Sequence, residues 1–290
     1  PGNRSERMIL NNYLTMRKLS ELKDNRLTPD LIFEIHRMIT EETLDDATAA
    51  GRFRWEDEAI VVGPAGTGEV YHQPPVSEML PSRLERLCDF ANGVENEPFI
   101  HPVLRAIILH FMIGYDHPFV DGNGRTARAL FYWSMLRSGY WLSDFISISQ
   151  VINRKRKDYE KAYLFSERDE GDLTYFVLYH LDVIHRAFGD LHRYLEQRSK
   201  ELKALASSLQ AMEEFNHRQR ALLSHALKHP GYEYTFHAHA QSHAVTHQTA
   251  RTDLNGLKDR GLLAARKVGR EWRFRPAEGL ESKLGMGGRL

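Results

Sequence analysis

The sequence predicts a mainly α protein. A helical bundle with one small β-hairpin over residues 1–205 is followed by a winged helix-turn-helix domain over residues 206–290. Three observations predict it. Apolar residues recur at helical spacing through the first two-thirds of the chain, one β-prone and turn-rich segment interrupts them, and the tail sets three short helical patterns ahead of an alternating pair of strands. In chain order, Met8, Ile9, Tyr13, Met16 and Leu19 share a helix face, as do Leu31, Ile32, Ile35, Met38 and Ile39 behind the start signal Thr28-Pro29-Asp30. The pattern then changes. Ala59-Ile60-Val61-Val62 is β-prone, residues 63–68 are turn chemistry and Val70-Tyr71 leads to Pro74-Pro75, which predicts a hairpin over about 59–71. Helical periodicity resumes over 80–90, 103–115, after Gly124, over 151–164 and from 172 towards 212. In the tail, residues 218–228 form one helix stopped by His229-Pro230-Gly231, 238–244 a second, and 248–259 a third capped by Thr246. Residues 262–274 alternate around Gly269 like a small wing.

Composition narrows the function classes. The 290 residues are 42% hydrophobic and 27% charged, with 39 Lys+Arg against 39 Asp+Glu, which excludes wholesale disorder and collagen-like repeats. The longest near-apolar run, residues 106–115, is broken by His110. It falls far short of the ~20 residues that span a bilayer, so no membrane partner is expected. A single cysteine, Cys88, excludes an internal disulfide and a cysteine-based zinc site, and the cytoplasm is the expected compartment. The opening Pro1-Gly2-Asn3-Arg4 has no charged-then-apolar leader and reads as the start of a fragment or a processed chain. Of the 39 basic and 39 acidic residues, 13 and 6 fall within 217–290, which leaves 26 and 33 upstream. An acidic body with a basic tail points to two units with different partners.

Chemistry concentrates in residues 117–128, His-Pro-Phe-Val-Asp-Gly-Asn-Gly-Arg-Thr-Ala-Arg. Gly122 and Gly124 flank Asn123 in a tight turn, and an apolar helical run follows at once. A glycine-rich loop opening a helix is an anion site, because first-turn N–H groups lack partners and the helix dipole favours negative charge there. Arg125 and Arg128, three apart, share the face of that first turn and can clamp phosphate oxygens. Asp121 is the hard oxygen ligand that Mg²⁺ on a polyphosphate needs, and His117 is the side chain best suited to take a proton near neutral pH. Singly, such features are ordinarily structural. Their coincidence in this order, straight before a helix, points to a site.

The segment resembles, at every defining position, the signature of the Fic domain family, His-x-Phe-x-Asp/Glu-Gly-Asn-Gly-Arg-x-x-Arg. The resemblance covers most of residues 1 to about 205. It includes the run Gly51-Arg52-Phe53-Arg54, the hairpin, then Ile146-Ser147-Ile148-Ser149 and Lys157-Asp158-Tyr159. It implies a Fic-type helical bundle and a protein adenylyltransferase, moving AMP from ATP to a Ser, Thr or Tyr hydroxyl of a target protein or of itself. By resemblance, His117 would deprotonate that hydroxyl and Asp121 would hold Mg²⁺ on the α and β phosphates. Gly122, Asn123 and Gly124 would cradle phosphates, and Arg125 and Arg128 would neutralise the β/γ end. Tyr159 would stand beside the nucleotide, although the second tyrosine that commonly follows is Glu160 here. Ile60, Val61 and Val62 would lie on the flap, whose edge can pair with an extended target segment through main-chain hydrogen bonds. Many family members also carry an inhibitory helix, Ser/Thr-x-x-x-Glu-Gly/Asn. The literal match at residues 166–171 falls where the family has a plain loop and reads as chance, so that helix is expected upstream of residue 1.

Two patterns read as decoys. Residues 63–69 mimic a P-loop without its Lys-Ser/Thr, and His237, His239, His243 and His247 lack a completing Cys or carboxylate and read as a solvated surface. His110, in an apolar run, reads as packed. In the tail, Gln248, Thr249 and Arg251 open the third helix and Lys267, Arg270 and Arg273 lie on the wing, while Asp253 and Asp259 dilute the positive field. The expected partners are ATP, an unnamed target protein, DNA or a protein at the tail, and a second copy of the chain. Two alternatives to AMP transfer stand: removal of AMP at the same site, which needs a glutamate positioned to activate water, and a nucleotide-sensing DNA-binding regulator.

Overall fold

The computed structural model describes residues 2–58, 60, 62, 70–93, 99–269 and 271–284. Ala59, Val61 and residues 63–69 of the expected hairpin, and Arg270 of the expected wing, lie outside these. The chain divides into two compact units, Pro1–His192 and Arg193–Leu290.

The first unit is built from α1 (Arg4–Leu22), α2 (Pro29–Thr40), α3 (Leu80–Asn92), α4 (Pro102–Asp116), α5 (Asn123–Arg137), α6 (Ile148–Arg154), α7 (Arg156–Arg168) and the first half of α8 (Thr174–Ala211). Local chemistry starts these helices where expected. The Thr28 hydroxyl accepts the Leu31 N–H ahead of Pro29, Pro102 opens α4, and the Asp172 carboxylate accepts the Thr174 N–H at 2.7 Å. The middle of α5 is buried on every side, from Ala129 to Leu136, which makes it the central helix. It packs on α4, α1 and α2, and Trp133, fully buried, donates its indole N–H to the Leu22 carbonyl at 3.1 Å.

One expectation changes here. The stretch 151–164 is two helices: Lys155 (φ −135°, ψ 49°) breaks it, so α6 can bury Ile148, Val151 and Ile152 while α7 separately buries Ala162 and Ser166. Of the hairpin, the described residues show one antiparallel bridge, between Val62 and His72, with Val62 N–H donating to His72 O at 3.0 Å and His72 N–H returning to Val62 O at 3.1 Å.

The second unit carries α9 (His217–Lys228), α10 (Phe236–His243), α11 (His247–Asp259), β1 (Leu263–Val268), β2 (Glu271–Pro276) and α12 (Leu280–Lys283). Thr246 caps α11, its hydroxyl accepting the Thr249 N–H at 3.2 Å. β1 and β2 are antiparallel, in register from Leu263–Pro276 to Val268–Glu271, around Gly269 at φ +62°. Leu222, Leu223, Leu254, Leu257, Leu263 and Phe274 form the core.

Two sequence expectations fail in this unit. Asp253 does not dilute the outer field of α11, because Ala250, Asp253, Leu254 and Leu257 form its inward stripe. The Asp253 carboxylate is 2% exposed and takes Arg218 at 2.6 and 3.2 Å and Asn216 at 2.7 Å. His239 is not on the surface either: it is buried against that same carboxylate at 3.2 Å.

Candidate active site

The loop between α4 and α5 is pinned from below. Phe119 is fully buried and stacks on the His36 ring of α2, centroids 3.8 Å apart. The Asn123 amide closes on the same residue, its Oδ1 accepting Phe119 N–H at 2.9 Å and its Nδ2 donating to Phe119 O at 2.7 Å. His36 Nδ1 accepts the Gly51 N–H at 2.8 Å, so its proton sits on Nε2 and is donated to Asp121 O at 2.9 Å. That arrangement requires a neutral ring, and burial pushes its pKa down to about 4. Gly122 turns the chain at φ +85°, where a Cβ would sit 2.6 Å from the Thr40 methyl. Thr126 makes the first helical bond, to Gly122 O at 2.9 Å, which leaves the N–H groups of Asn123, Gly124 and Arg125 without intrahelical partners.

His117 ends α4 in the left-handed region (φ 43°, ψ 57°), an uncommon place for a non-glycine residue. Its Nδ1 lies 2.5 Å from Gly114 O. A carbonyl only accepts, so Nδ1 carries the proton and Nε2 keeps its lone pair. Burial lowers the His117 pKa, and the Gly114 bond offsets this only in part, so the ring is a neutral base at neutral pH. Arg54, 5% exposed, holds the loop from outside: its N–H donates to Pro118 O at 2.9 Å, its Nε to His117 O at 2.8 Å and its Nη2 to Pro75 O.

These pieces open onto a cavity of about 370 Å³. Of the residues singled out in the sequence, His117, Asp121, Gly122, Gly124, Arg125, Arg128, Tyr159 and Val62 line it. Asn123 does not, its amide being spent on Phe119; Ile60 is half-buried elsewhere, and Val61 lies outside the described residues. Arg125 is held by Thr43 Oγ1 at 2.7 Å and by Asp121 Oδ2 at 3.0 Å. Arg128 has neither hydrogen bond nor ion pair among the described residues. Burial lowers its pKa, while Tyr159, Tyr132 and Tyr163 act on it in the opposite sense. A desolvated guanidinium without a carboxylate beside a helix N-terminus is an anion site. The Tyr159 hydroxyl meets His110 Nε2 at 3.1 Å.

Sequence reasoning missed four residues here. His36 hides in the apolar stripe of α2, and Arg54 was noted only as part of a likeness. His72 and Glu167, both lining the cavity, come from separate elements and meet at 2.8 Å. The glutamate of the literal inhibitory match, Glu170, is exposed at φ +53° and does not line the cavity.

Known proteins resemble this chain. The Fic/DOC family model matches residues 26–135. "Protein adenylyltransferase Fic" of Nematostella vectensis is 29% identical over 155 residues, 53% of this chain and 32% of that protein. The protein of the same name from Drosophila willistoni is 30% identical over 151 residues, 52% and 26% respectively. The chain thus spans about a third or less of the length of these curated relatives. A crystal structure of a Fic family protein from Desulfovibrio desulfuricans G20 shares the fold, with a TM-score of 0.55 over 96% of this chain and 76% of that one at 19% identity. Residues 26–135, which hold the loop and most of the helices that flank it, thus resemble the Fic/DOC family.

Proposed function

We propose that the chain transfers AMP from ATP to a Ser, Thr or Tyr hydroxyl of a target protein or of itself. One observation carries this: His117 presents a free Nε2 to a cavity whose other wall offers a helix N-terminus and Arg128, which has no ion pair among the described residues. The hydroxyl oxygen attacks the α-phosphorus, its proton passes to Nε2, and the bond from that phosphorus to the pyrophosphate oxygen breaks. Charge on the departing pyrophosphate falls to Arg128, Arg125 and the first N–H groups of α5. Asp121, 52% exposed beside this cradle, suits Mg²⁺, which commonly rests on one or two carboxylates plus substrate phosphates. Bound there, the ion would lower the charge on the phosphates. The Fic adenylyltransferases that the chain resembles support the reaction class. A target strand would add along the flap beside Ile60 and Val62. The single cysteine, buried Cys88, suits a reducing compartment, and we assign the protein to the cytoplasm. The test is incubation with Mg²⁺ and ATP labelled on the α-phosphate. Label should appear on protein and fall about 10²–10⁴-fold in His117→Ala. Equal labelling of both proteins would refute the role of His117.

For residues 206–290 we propose a winged helix-turn-helix that binds duplex DNA. Withdrawal of Asp253 favours it, leaving exposed Gln248, Arg251 and Thr252 on the outer face of α11 for base edges. So does the outer face of the hairpin, where Arg266, Arg273 and Arg275 all pair with the one carboxylate of Glu233. Arg266 and Arg273 are directly opposite in register, and Glu233 with Glu271 offsets two of the three guanidinium charges, which leaves this face net positive toward a polyanion. Fluorescence anisotropy on a labelled duplex should show affinity falling with salt, weakened by Arg251→Ala and Arg266→Ala and untouched by His117→Ala. Salt-independent binding, or a concentration-dependent dimer with no DNA binding, would replace DNA by a protein partner.

A further inference from the structure

His72 stands at the stem of the flap, its backbone bridged to Val62. Its ring reaches two other elements. Nε2 lies 2.6 Å from Tyr115 O at the end of α4, and Nδ1 lies 2.8 Å from Glu167 Oε1 on α7. The two side chains are only 10% and 15% exposed. Nε2–H donates to the Tyr115 carbonyl, so a neutral ring would turn the Nδ1 lone pair on the Glu167 carboxylate at 2.8 Å; that close approach, an ion pair without hydrogen-bond alignment, is attractive only when the ring is an imidazolium. A neutral ring must release one of them. Tyr115 is two residues ahead of His117, so the charged ring ties the flap, α7 and the segment carrying the base into one frame. Arg54 makes the matching tie on the other side, through His117 O and Pro75 O.

We propose that His72 is a positioning residue that must be charged for transfer, so that the reaction acquires an alkaline limit set by His72 beside the acidic limit set by His117. The inference rests on the AMP-transfer reading given above. The groups facing each ring agree with it. Around His72 stand Glu167 from α7, the Tyr115 ring at 4.6 Å, and Asp116 of α4, itself held by Arg83 of α3 at 2.6 Å. Burial is the largest influence and opposes charge on His72, yet Glu167, the Tyr115 carbonyl and Asp116 together outweigh it and raise its pKa. His117 has no carboxylate among the groups acting on it. Burial, the charged His72 and Arg54 all depress its pKa, and the Gly114 carbonyl alone opposes them. Between the two values His72 is charged while His117 is neutral, which is the pairing that transfer needs.

The experiment has two arms on the full chain. In the first, histidine side-chain NMR, assigned with His72→Gln and His117→Ala, should find both His72 nitrogens protonated at neutral pH. His72 should titrate above the ordinary histidine value and His117 below it. In the second, kcat/KM for transfer should be bell-shaped in pH. Glu167→Gln removes the neighbouring charge and should bring the alkaline limb down by about 1 unit or more. His72→Gln should abolish that limb and lower the plateau. A merely structural pair would lower the rate equally at every pH and leave the limb in place, which would overturn the proposal. So would a His72 that titrates below His117. If transfer itself is absent, the NMR arm still decides whether His72 is the charged tie, and the fault lies with the reaction assigned.

Discussion

The Asn123 side chain shows how a signature residue can act by holding the loop rather than by facing the cavity. Its amide donates to Phe119 O and accepts from Phe119 N–H, and no other side chain of that size can do both. Asn123→Asp keeps the shape but sets two acceptors face to face, with the carboxylate 3% exposed. Leaving such a group unsatisfied costs about 1–3 kcal/mol, so the variant should melt several degrees lower and lose transfer activity together. An unchanged melting temperature would show that the amide does not hold the loop. At this scale the sequence was legible where chemistry is contiguous. His117, Asp121, Gly122, Gly124, Arg125 and Arg128 could be named because twelve consecutive residues contain them. His36, Arg54, His72 and Glu167 could not, because each supports the loop from a distant element, and on its own element each looks like a core or surface residue.

α4 and α7 meet where Gly114 faces Tyr163, three residues before His117. A Cβ at Gly114 would run into the Tyr163 hydroxyl and stand 2.6 Å from its Cζ, and that hydroxyl already donates to His110 O at 3.2 Å. Gly114→Ala should therefore cost about 1–3 kcal/mol by overpacking. It should also raise KM for ATP and lower kcat together, because Tyr163 lines the cavity while the Gly114 carbonyl holds the Nδ1 proton of His117. Tyr163→Ala removes the obstacle, so in the double variant much of the penalty from Gly114→Ala should disappear. Additive losses in a double-mutant cycle would deny the contact. Nothing in the helical period announced this crossing. Periodicity placed α3, α4 and α8 because their apolar faces are continuous, but it ran through the break at Lys155, where backbone angles alone separate α6 from α7. Asp253 was misjudged for the opposite reason. Its spacing with Ala250, Leu254 and Leu257 marked the inward face, and its charge was read before its position.

Across the whole molecule, the two units should respond differently to acid. Behind the cavity, His110 and His180 are fully buried with ring centroids 4.7 Å apart, and no carboxylate is among the groups acting on either. Burial pushes His180 down to about 3 and His110 well below its ordinary value, with each other's proximity adding to the penalty for His110. The sign follows from linkage. Below about pH 6.5 the unfolded chain binds protons that the folded chain refuses, so stability falls with pH, by up to about 2 kcal/mol for each histidine at pH 5. His72, whose pKa is raised, contributes in the other direction: its stabilisation is fully present below the ordinary histidine value and is lost as pH rises through the folded one. The second unit has no fully buried histidine pair among its described residues; its closest counterpart, His239, lies against the Asp253 carboxylate. Unfolding of the first unit can be followed by tryptophan fluorescence in a Trp272→Phe background, which leaves Trp55, Trp133 and Trp141 as reporters. Its urea midpoint should drop between pH 7 and pH 5, and His180→Gln, neutral at both, should flatten that drop by its share. Equal midpoints at the two pH values would mean that water or a structural shift reaches these rings, and that the floor of the cavity is softer than its packing indicates.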